Sequence, residues 1–364
     1  MRIALVHDWL NDLGGAERVL IELHKIFPDA PIHVLFYNKK FARKHLPDAK
    51  IIPSGLQKFP FITKTYPFLM PLMPSAIEAF DMSEYDVVIS SSVIFSKGLV
   101  VKPKTRHICY CYSPTRFLWD RHTEYEHSSG LAKFAQHLLR LWDRQASDRA
   151  DEFVAISKNV RDRIKKYYRR DAKIIYPPVT LENMTSFSTS QVENKNNKYY
   201  LIVSRLFPYK NIDIAIDAFN KLGYELVIVG SGPDMPRLKR MAGKNIKLVG
   251  QKSDEEVAEY YKNCRAFIMP QEEDFGLTPL EAMSFGKPVL ALRKGGALET
   301  VLEEITGEFF DDPIPEALAD GMRRLNENYS RYSPLVIQKW AEKFSRKKFR
   351  EEILNLIKTE DVLV

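Results

Sequence analysis

The 364-residue chain predicts an α/β fold built from two doubly wound parallel-sheet domains. Three observations lead there. Short, nearly continuous apolar runs alternate with helical patterns along the whole chain; strands of that kind are buried on both faces, as in parallel sheets. The length exceeds one ordinary domain and suits two. Between the two series of strands, residues 180–198 are rich in Ser, Asn, Thr and Lys and poor in apolar side chains, which is a linker composition.

The elements follow in order. The first strand opens at once with Arg2-Ile3-Ala4-Leu5-Val6 and closes at Val6, so no cleavable leader is expected. Residues 16–27 read as an amphipathic helix, and Ile32-His33-Val34-Leu35-Phe36 as a second strand. Further strands are expected at 87–90, 107–111, 153–157 and 173–175. The second series lies at 199–203, 226–229, 246–249, 266–269 and 288–291. Cys109 and Cys111 are two apart and should share a strand face. With Cys264 they make three cysteines, too few for a disulfide framework and lacking partners at metal-ligand spacing, so buried reduced thiols of a cytoplasmic protein are expected.

Hydrophobic content of 45% and charged content of 28% are those of a globular protein, and no apolar run is long enough to span a bilayer. The net charge of +7 implies anionic company. Residues 158–170 form a basic helical stretch, read either as a solvated face or as a surface for anionic headgroups. No nucleic-acid motif accompanies the charge, so no nucleic-acid partner is expected. Residues 56–73 mix aromatics, lysines and prolines that forbid a long regular helix. They read as a self-packed loop or as an exposed surface touching a lipid-linked acceptor and the membrane.

Open α/β sheets bind ligands at the carboxyl ends of their strands. Gly14-Gly15 follows the first strand and opens a helix; Gly230-Ser231-Gly232-Pro233 follows a strand of the second series. Each is either a ligand-approach turn or a plain tight turn. Arg205 and Lys210 stand five apart just after a strand, where a guanidinium fork and an ammonium suit a diphosphate. Glu273 and Glu281 flank Phe275-Gly276-Leu277 and offer carboxylates to ribose and sugar hydroxyls. Glu281 also has a purely structural reading: Thr278 as N-cap, Pro279 at N1 and Glu281 at N3 spell a capping box.

On these residues the chain resembles the retaining GT-B glycosyltransferases of family four (glycosyl transferases group 1). The resemblance covers nearly the whole chain. It is carried by Ser204-Arg205-Leu206…Lys210-Asn211, by the Glu273-x7-Glu281 pattern with Glu-Ala-Met after it, and by Gly295-Gly296-Ala297-Leu298-Glu299-Thr300-Val301. It implies two Rossmann-like domains facing a cleft: 1–180 for the acceptor, with a returning C-terminal helix at 338–364, and 198–337 for the nucleotide sugar.

Position by position, the resemblance implies that Arg205 and Lys210 hold the donor diphosphate and that Glu281 binds the ribose. It places Glu273 beside the transferred sugar, with Gly14, Gly15, Gly230, Phe275, Gly276 and Leu277 around the donor. Arg205, Lys210 and Glu273 form the catalytic set. The segment from Cys109 to Asp120 and Ile175-Tyr176-Pro177-Pro178-Val179 resemble bacterial polysaccharide mannosyltransferases, which implies GDP-mannose as donor and Tyr112, Arg116 and Asp120 on the acceptor or sugar side. Many relatives carry His where this chain has Tyr112, a poor base with a reference pKa of about 10. No Asp-x-Asp is present, so neither a metal nor another cofactor is expected; the nucleotide sugar is a substrate. Two other classes share the architecture: a nucleotide-sugar epimerase and a non-catalytic nucleotide- or glycan-binding protein.

Overall fold

The structure is a computed structural model that describes residues 1–121, 130–180 and 199–358. The linker expected at 180–198 lies outside the described residues beyond Thr180. The chain divides into two compact units, Met1–Pro177 with Arg350–Val364, and Pro178–Phe349.

The first unit holds seven strands: β1 (Ile3–Leu10), β2 (Ile32–Tyr37), β3 (Ile51–Pro53), β4 (Val87–Ser92), β5 (Arg106–Cys111), β6 (Glu152–Ala155) and β7 (Lys173–Ile174). They lie in the order β3-β2-β1-β4-β5-β6-β7, every pair parallel. The order reverses between β1 and β4, so the site-forming end of this sheet lies where those strands finish. Ala4, Val6, Leu35, Phe36, Val88 and Phe95 are among its buried core.

The first strand runs to Leu10 rather than ending at Val6. His7 and Asp8 are therefore buried strand residues, not loop residues. The strand tolerates them because each is satisfied: Asp8 accepts the backbone amides of Val93, Ile94, Phe95 and Ser96 at 2.6–2.9 Å, and His7 Nδ1 meets the Ser91 carbonyl at 2.8 Å. Cys109 and Cys111 lie in β5, and all three cysteines are buried and free. The basic helix Lys158–Tyr168 is capped by Ser157, whose Oγ accepts from Val160 N, and buries Val160, Ile164 and Tyr168 one turn apart.

The second unit holds β8 (Tyr200–Val203), β9 (Leu226–Val229), β10 (Ile246–Gly250), β11 (Ala266–Met269), β12 (Val289–Leu292) and β13 (Gly307–Phe310), ordered β10-β9-β8-β11-β12-β13 and all parallel. Every residue of β9, β11 and β12 is buried, the pattern their unbroken apolar runs predict. The switch in order falls between β8 and β11. The helix Ile212–Leu222 packs Ile212, Ala215, Ile216 and Phe219 inward and ends on Gly223 at φ 72°, a left-handed C-terminal residue.

Residues 178–180 belong to the second unit, where Val179 N donates to the Phe344 carbonyl at 2.8 Å. The helix Pro334–Ala341 stays there too, because Trp340 Nε1 donates to the Thr300 carbonyl and Gln338 to that of Ser284. The chain rejoins the first unit from Arg350, within the helix Arg346–Lys358. Arg106 holds the end of that helix by donating to the carbonyls of Leu356 and Ile357.

Candidate functional site

In the second unit, the loops after β8 and β11 leave the sheet on either side of its switch point. The β8 loop is braced by the loop after β9: Leu206 N donates to Ser231 O at 2.9 Å and Asp234 N to Leu206 O at 3.1 Å. The glycines at 230 and 232 serve this contact. A Cβ on Gly230, at φ 139°, would lie 1.8 Å from the Ser204 carbonyl oxygen, and one on Gly232 would lie 2.1 Å from that of Leu206. Gly230 thus has a backbone reason for being glycine that involves no ligand.

That bracing presents Arg205 to solvent, with its guanidinium 5.7 Å from the Phe207 ring centroid. Among the described residues no carboxylate pairs with it. Lys210 closes a short 3-10 turn, Pro208–Lys210, and Asn211 follows at φ 54° with its Nδ2 on the Pro270 carbonyl at 3.3 Å. This ties the β8 and β11 loops together. Lys210 is buried, and its Nζ reaches Glu273 Oε1 at 2.5 Å. Gln271 Nε2 donates to the same oxygen at 2.9 Å.

The backbone around Glu273 is fixed from the far side by the loop after β12. Glu273 pairs with Gly295 in a parallel bridge, and Gly296 N donates to the Glu273 carbonyl at 2.8 Å. A Cβ on Gly296 would meet three Phe275 backbone atoms at 2.3–2.5 Å. Burial by itself would raise the Glu273 carboxyl, but the Lys210 ammonium, the Gln271 amide and the Arg205 charge outweigh it and hold the group below the usual carboxylate range. It is an ionised acceptor at neutral pH, not an acid.

The helix Leu277–Ser284 starts at Gly276, φ 93°, with no side-chain cap. The expected capping box is therefore absent. The left-handed Gly276 starts the helix ahead of Thr278, so Glu281 lies in its second turn, too far along to reach the N-cap. There it is buried and accepts from Tyr261 Oη at 2.9 Å. Phe275 is buried against Phe344. The structure thus brings Arg205, Lys210 and Glu273 together, and places Phe275, Gly276, Leu277 and Glu281 on the continuation of the same loop into its helix.

In the first unit, Gly14 precedes the helix Gly15–Ile26, and its N–H donates to Glu17 Oε2 at 2.8 Å. Glu17 Oε1 lies 3.5 Å from His7 Nε2. Burial would lower the His7 pKa, but Glu17, Asp8 and the Ser91 carbonyl outweigh it and raise it. Tyr112 donates to the Ala16 carbonyl at 3.0 Å and shares a 2.8 Å hydrogen bond with Ser91 Oγ. Burial, with the negative charges of Glu17 and Asp8, lifts its phenol well above the ordinary value despite the Ser91 bond. Tyr112 therefore ties the start of the glycine-led helix to β4 and is no proton acceptor.

Arg116 and Asp120 pair with each other at 3.1 Å, and Arg163 approaches Asp120 at 3.5 Å. Sequence reading missed what holds this segment. The buried Asp143 carboxylate collects Lys97 Nζ, Thr115 Oγ1, Trp119 Nε1 and Tyr168 Oη, all within 2.6–2.8 Å. It also missed the His7–Glu17 contact. Neither leaves a local signal, because the partners are brought together across strands.

The family model described as glycosyl transferases group 1 matches residues 183–343, and that described as glycosyltransferase family 4 matches residues 13–183. The uncharacterized glycosyltransferase MJ1178 of Methanocaldococcus jannaschii is 28% identical over 194 residues, 52% of this chain and 53% of that protein, so the match spans about half of each. The alpha-1,3/1,6-mannosyltransferase ALG2 of Candida glabrata is 23% identical over 428 residues, covering 98% of this chain and 93% of that one. HepE of Anabaena, solved in complex with UDP, superposes with a TM-score of 0.73 at 19% identity, covering 99% of this chain and 100% of that one. Sucrose-phosphate synthase of Thermosynechococcus elongatus does so with a TM-score of 0.74 at 16% identity, covering 100% of both. At such identities these two likenesses concern the fold. With the two family models together spanning residues 13–343, the chain belongs to the glycosyltransferases of family four (glycosyl transferases group 1), and its two parallel sheets are those of the GT-B fold.

Proposed function

We propose that this glycosyltransferase moves mannose from GDP-mannose, with retention of configuration, onto a lipid-linked glycan in cell-surface polysaccharide synthesis. It does so without a metal, as a peripheral enzyme on the cytoplasmic face of a membrane. The observation that carries the reading is the meeting of Arg205, Lys210 and Glu273 at the carboxyl ends of β8 and β11. The mannosyl assignment is supported by the ALG2 relatives, which are named mannosyltransferases.

The bond from the anomeric carbon to the donor phosphate breaks, and its electron pair leaves with the diphosphate. A bond forms to the acceptor oxygen, and the acceptor's proton passes to the departing phosphate. Arg205, exposed and unpaired among the described residues, meets the developing negative charge; Lys210 is drawn from Glu273 toward it. Glu273, kept ionised, accepts hydrogen bonds from sugar hydroxyls. Glu281 is the ribose ligand in this reading, and Tyr261 orients it.

A UDP-sugar donor is the second reading, because HepE was solved with UDP and with UDP-glucose. Calorimetric titration of the full chain with GDP, UDP and ADP, without and with added divalent metal, tests both. A GDP preference lost in Arg205→Ala supports the mannosyl reading. A UDP preference replaces the donor and keeps the transferase. Binding only with metal overturns metal independence. Conversion of a nucleotide sugar without acceptor selects the epimerase class, and binding without any turnover the non-catalytic class.

A further inference from the structure

We infer that the first unit docks on an anionic lipid bilayer through two exposed apolar faces that share one core: the segment from Gly55 to Leu72 and the outer face of the helix Gly130–Ala146. The inference deepens the membrane reading above and rests on it. It assigns the contact to named side chains, including a helix that the sequence pattern did not single out.

The first face is built from short turns, Gly55–Lys58, Ile62–Thr65 and Tyr66–Leu72. Ile62, Tyr66, Leu69 and Met70 turn inward onto the core. The residues between them turn out: Phe68 is 86% exposed and Phe61 79%, with Leu72 half-exposed. Phe61 is also held in the left-handed region at φ 54°, a conformation that disfavours any L side chain. A chain under selection for solubility alone has no reason to hold an aromatic ring there, facing water.

The second face is a stripe. With successive helix residues about 100° apart, Phe134, Leu138 and Leu141 fall within about 60° of one another. All three are exposed, Phe134 at 58%. Leu139 and Trp142, on the neighbouring face, pack into the core that receives Tyr66, Leu69 and Met70. Trp142 Nε1 is fixed to Glu78 at 2.8 Å. The helix therefore has a buried apolar face and, beside it, an unburied one.

Charge selects the occupant. Residues 55–73 contain Lys58 and Lys64 and no acid. Residues 130–146 contain a single acid, Asp143, and it is buried against Lys97. Lys133, His137, Arg140 and Arg144 form a band along one edge of the apolar stripe; Arg140 also donates to the Leu118 carbonyl, and Arg144 pairs with Asp148 just beyond the helix at 2.7 Å. Apolar side chains bordered by cations, with no exposed acid within residues 55–73 or 130–146, match an interface of anionic headgroups over acyl chains. The basic helix Lys158–Tyr168 fits less well, because Val160, Ile164 and Tyr168 are buried and it presents no large apolar side chain to solvent. Arg163 is directed at Ser113 and Asp120, and Arg170 just after the helix donates to the carbonyls of Ser147, Ala150 and Asp151.

The test uses the full chain and vesicles of phosphatidylcholine alone or mixed with phosphatidylglycerol at about one part in three. The wild type is expected to co-sediment with the mixed vesicles. The combined Phe134→Ser, Leu138→Ser, Leu141→Ser variant is expected to bind about tenfold or more weakly, as is Phe61→Ser with Phe68→Ser. Because all five positions are exposed, nucleotide titration and melting temperature should match the wild type. Phe68→Trp should add an emission component that shifts to the blue and is quenched by brominated lipid when mixed vesicles are present. Equal binding by wild type and serine variants, or no binding to mixed vesicles, overturns the inference. So does vesicle-free self-association that the serine substitutions abolish, which would assign the faces to a second copy. Sugar transfer to a water-soluble acceptor by a wild type that ignores vesicles would sink the docking surface and leave the transferase reading standing.

Discussion

Lys210 Nζ and Glu273 Oε1 lie 2.5 Å apart although 63 residues separate them in the chain. The Lys210 ammonium is buried, so each charge depends on the other and on Gln271, which shares the same oxygen. Glu273→Gln removes the anion and leaves the cation uncompensated. Turnover is expected to fall by about 10²–10³, while diphosphate affinity holds or rises because Lys210 is released for the phosphate. Steady-state rates beside calorimetry check this. Full turnover in the variant with native sugar affinity would remove Glu273 from the mechanism.

Arg205 differs in kind. It is exposed and has no carboxylate partner among the described residues, so Arg205→Ala should leave the melting temperature within about a degree or two. Nucleoside-diphosphate affinity should drop about 10–100-fold, the range of a charge-assisted contact to phosphate. Equal affinity for wild type and variant would mean that the diphosphate lies elsewhere.

The Gly295-Gly296 pair is a backbone requirement of the Glu273 loop. Gly296→Ala would drive a methyl group into the Phe275 backbone, which has no flexible side chain to yield. A loss of about 1–3 kcal/mol in unfolding free energy is expected, with weakened nucleotide binding. Urea denaturation of the full chain measures the first and titration the second.

His7 gives the first unit a stability term that depends on pH. Its pKa is raised in the folded protein by Glu17, Asp8 and Ser91 against the effect of burial. Such a group stabilises fully below its unfolded value of about 6.5, and the contribution is lost as pH rises through the higher folded value. His33 and His107 act in another window. Burial pushes both down to about 4, so their contribution is lost as pH falls from about 6.5 toward 4. Denaturation curves from pH 7 to pH 9 should show a declining stability in the wild type and a flatter one in His7→Gln. Parallel curves would show that His7 keeps its proton state throughout.

Much of the second unit was legible in the sequence. The strand at 226–229 and that at 266–269 have the expected bounds, because four unbroken apolar residues between turns have little alternative. The loops that carry Arg205, Lys210 and Glu273 were legible because they follow two apolar strands, while the grouping of the three came from the resemblance. Two expectations failed for local reasons. Val6 does not end β1, because hydrogen bonds from 93–96 and from Ser91 let His7 and Asp8 continue it. Thr278 does not cap its helix, because the glycine before it adopts a left-handed conformation that starts the helix earlier. The short edge strand β3, the last strand β13 and the helix Gly130–Ala146 were not singled out at all.

The sequence by itself determined the two-sheet α/β class, the glycine turns and the residue types available to the site. Those follow from side-chain periodicity and φ preferences, which act over a few neighbours. Only the tertiary structure decided which charges are paired. Glu273 is ionised because Lys210 and Gln271 arrive beside it, and Tyr112 is a clamp because Ala16 and Ser91 lie within reach of its hydroxyl. Protonation and hydrogen bonding depend on distances of about 3 Å across the sheet, and such distances are not encoded in any local stretch of chain.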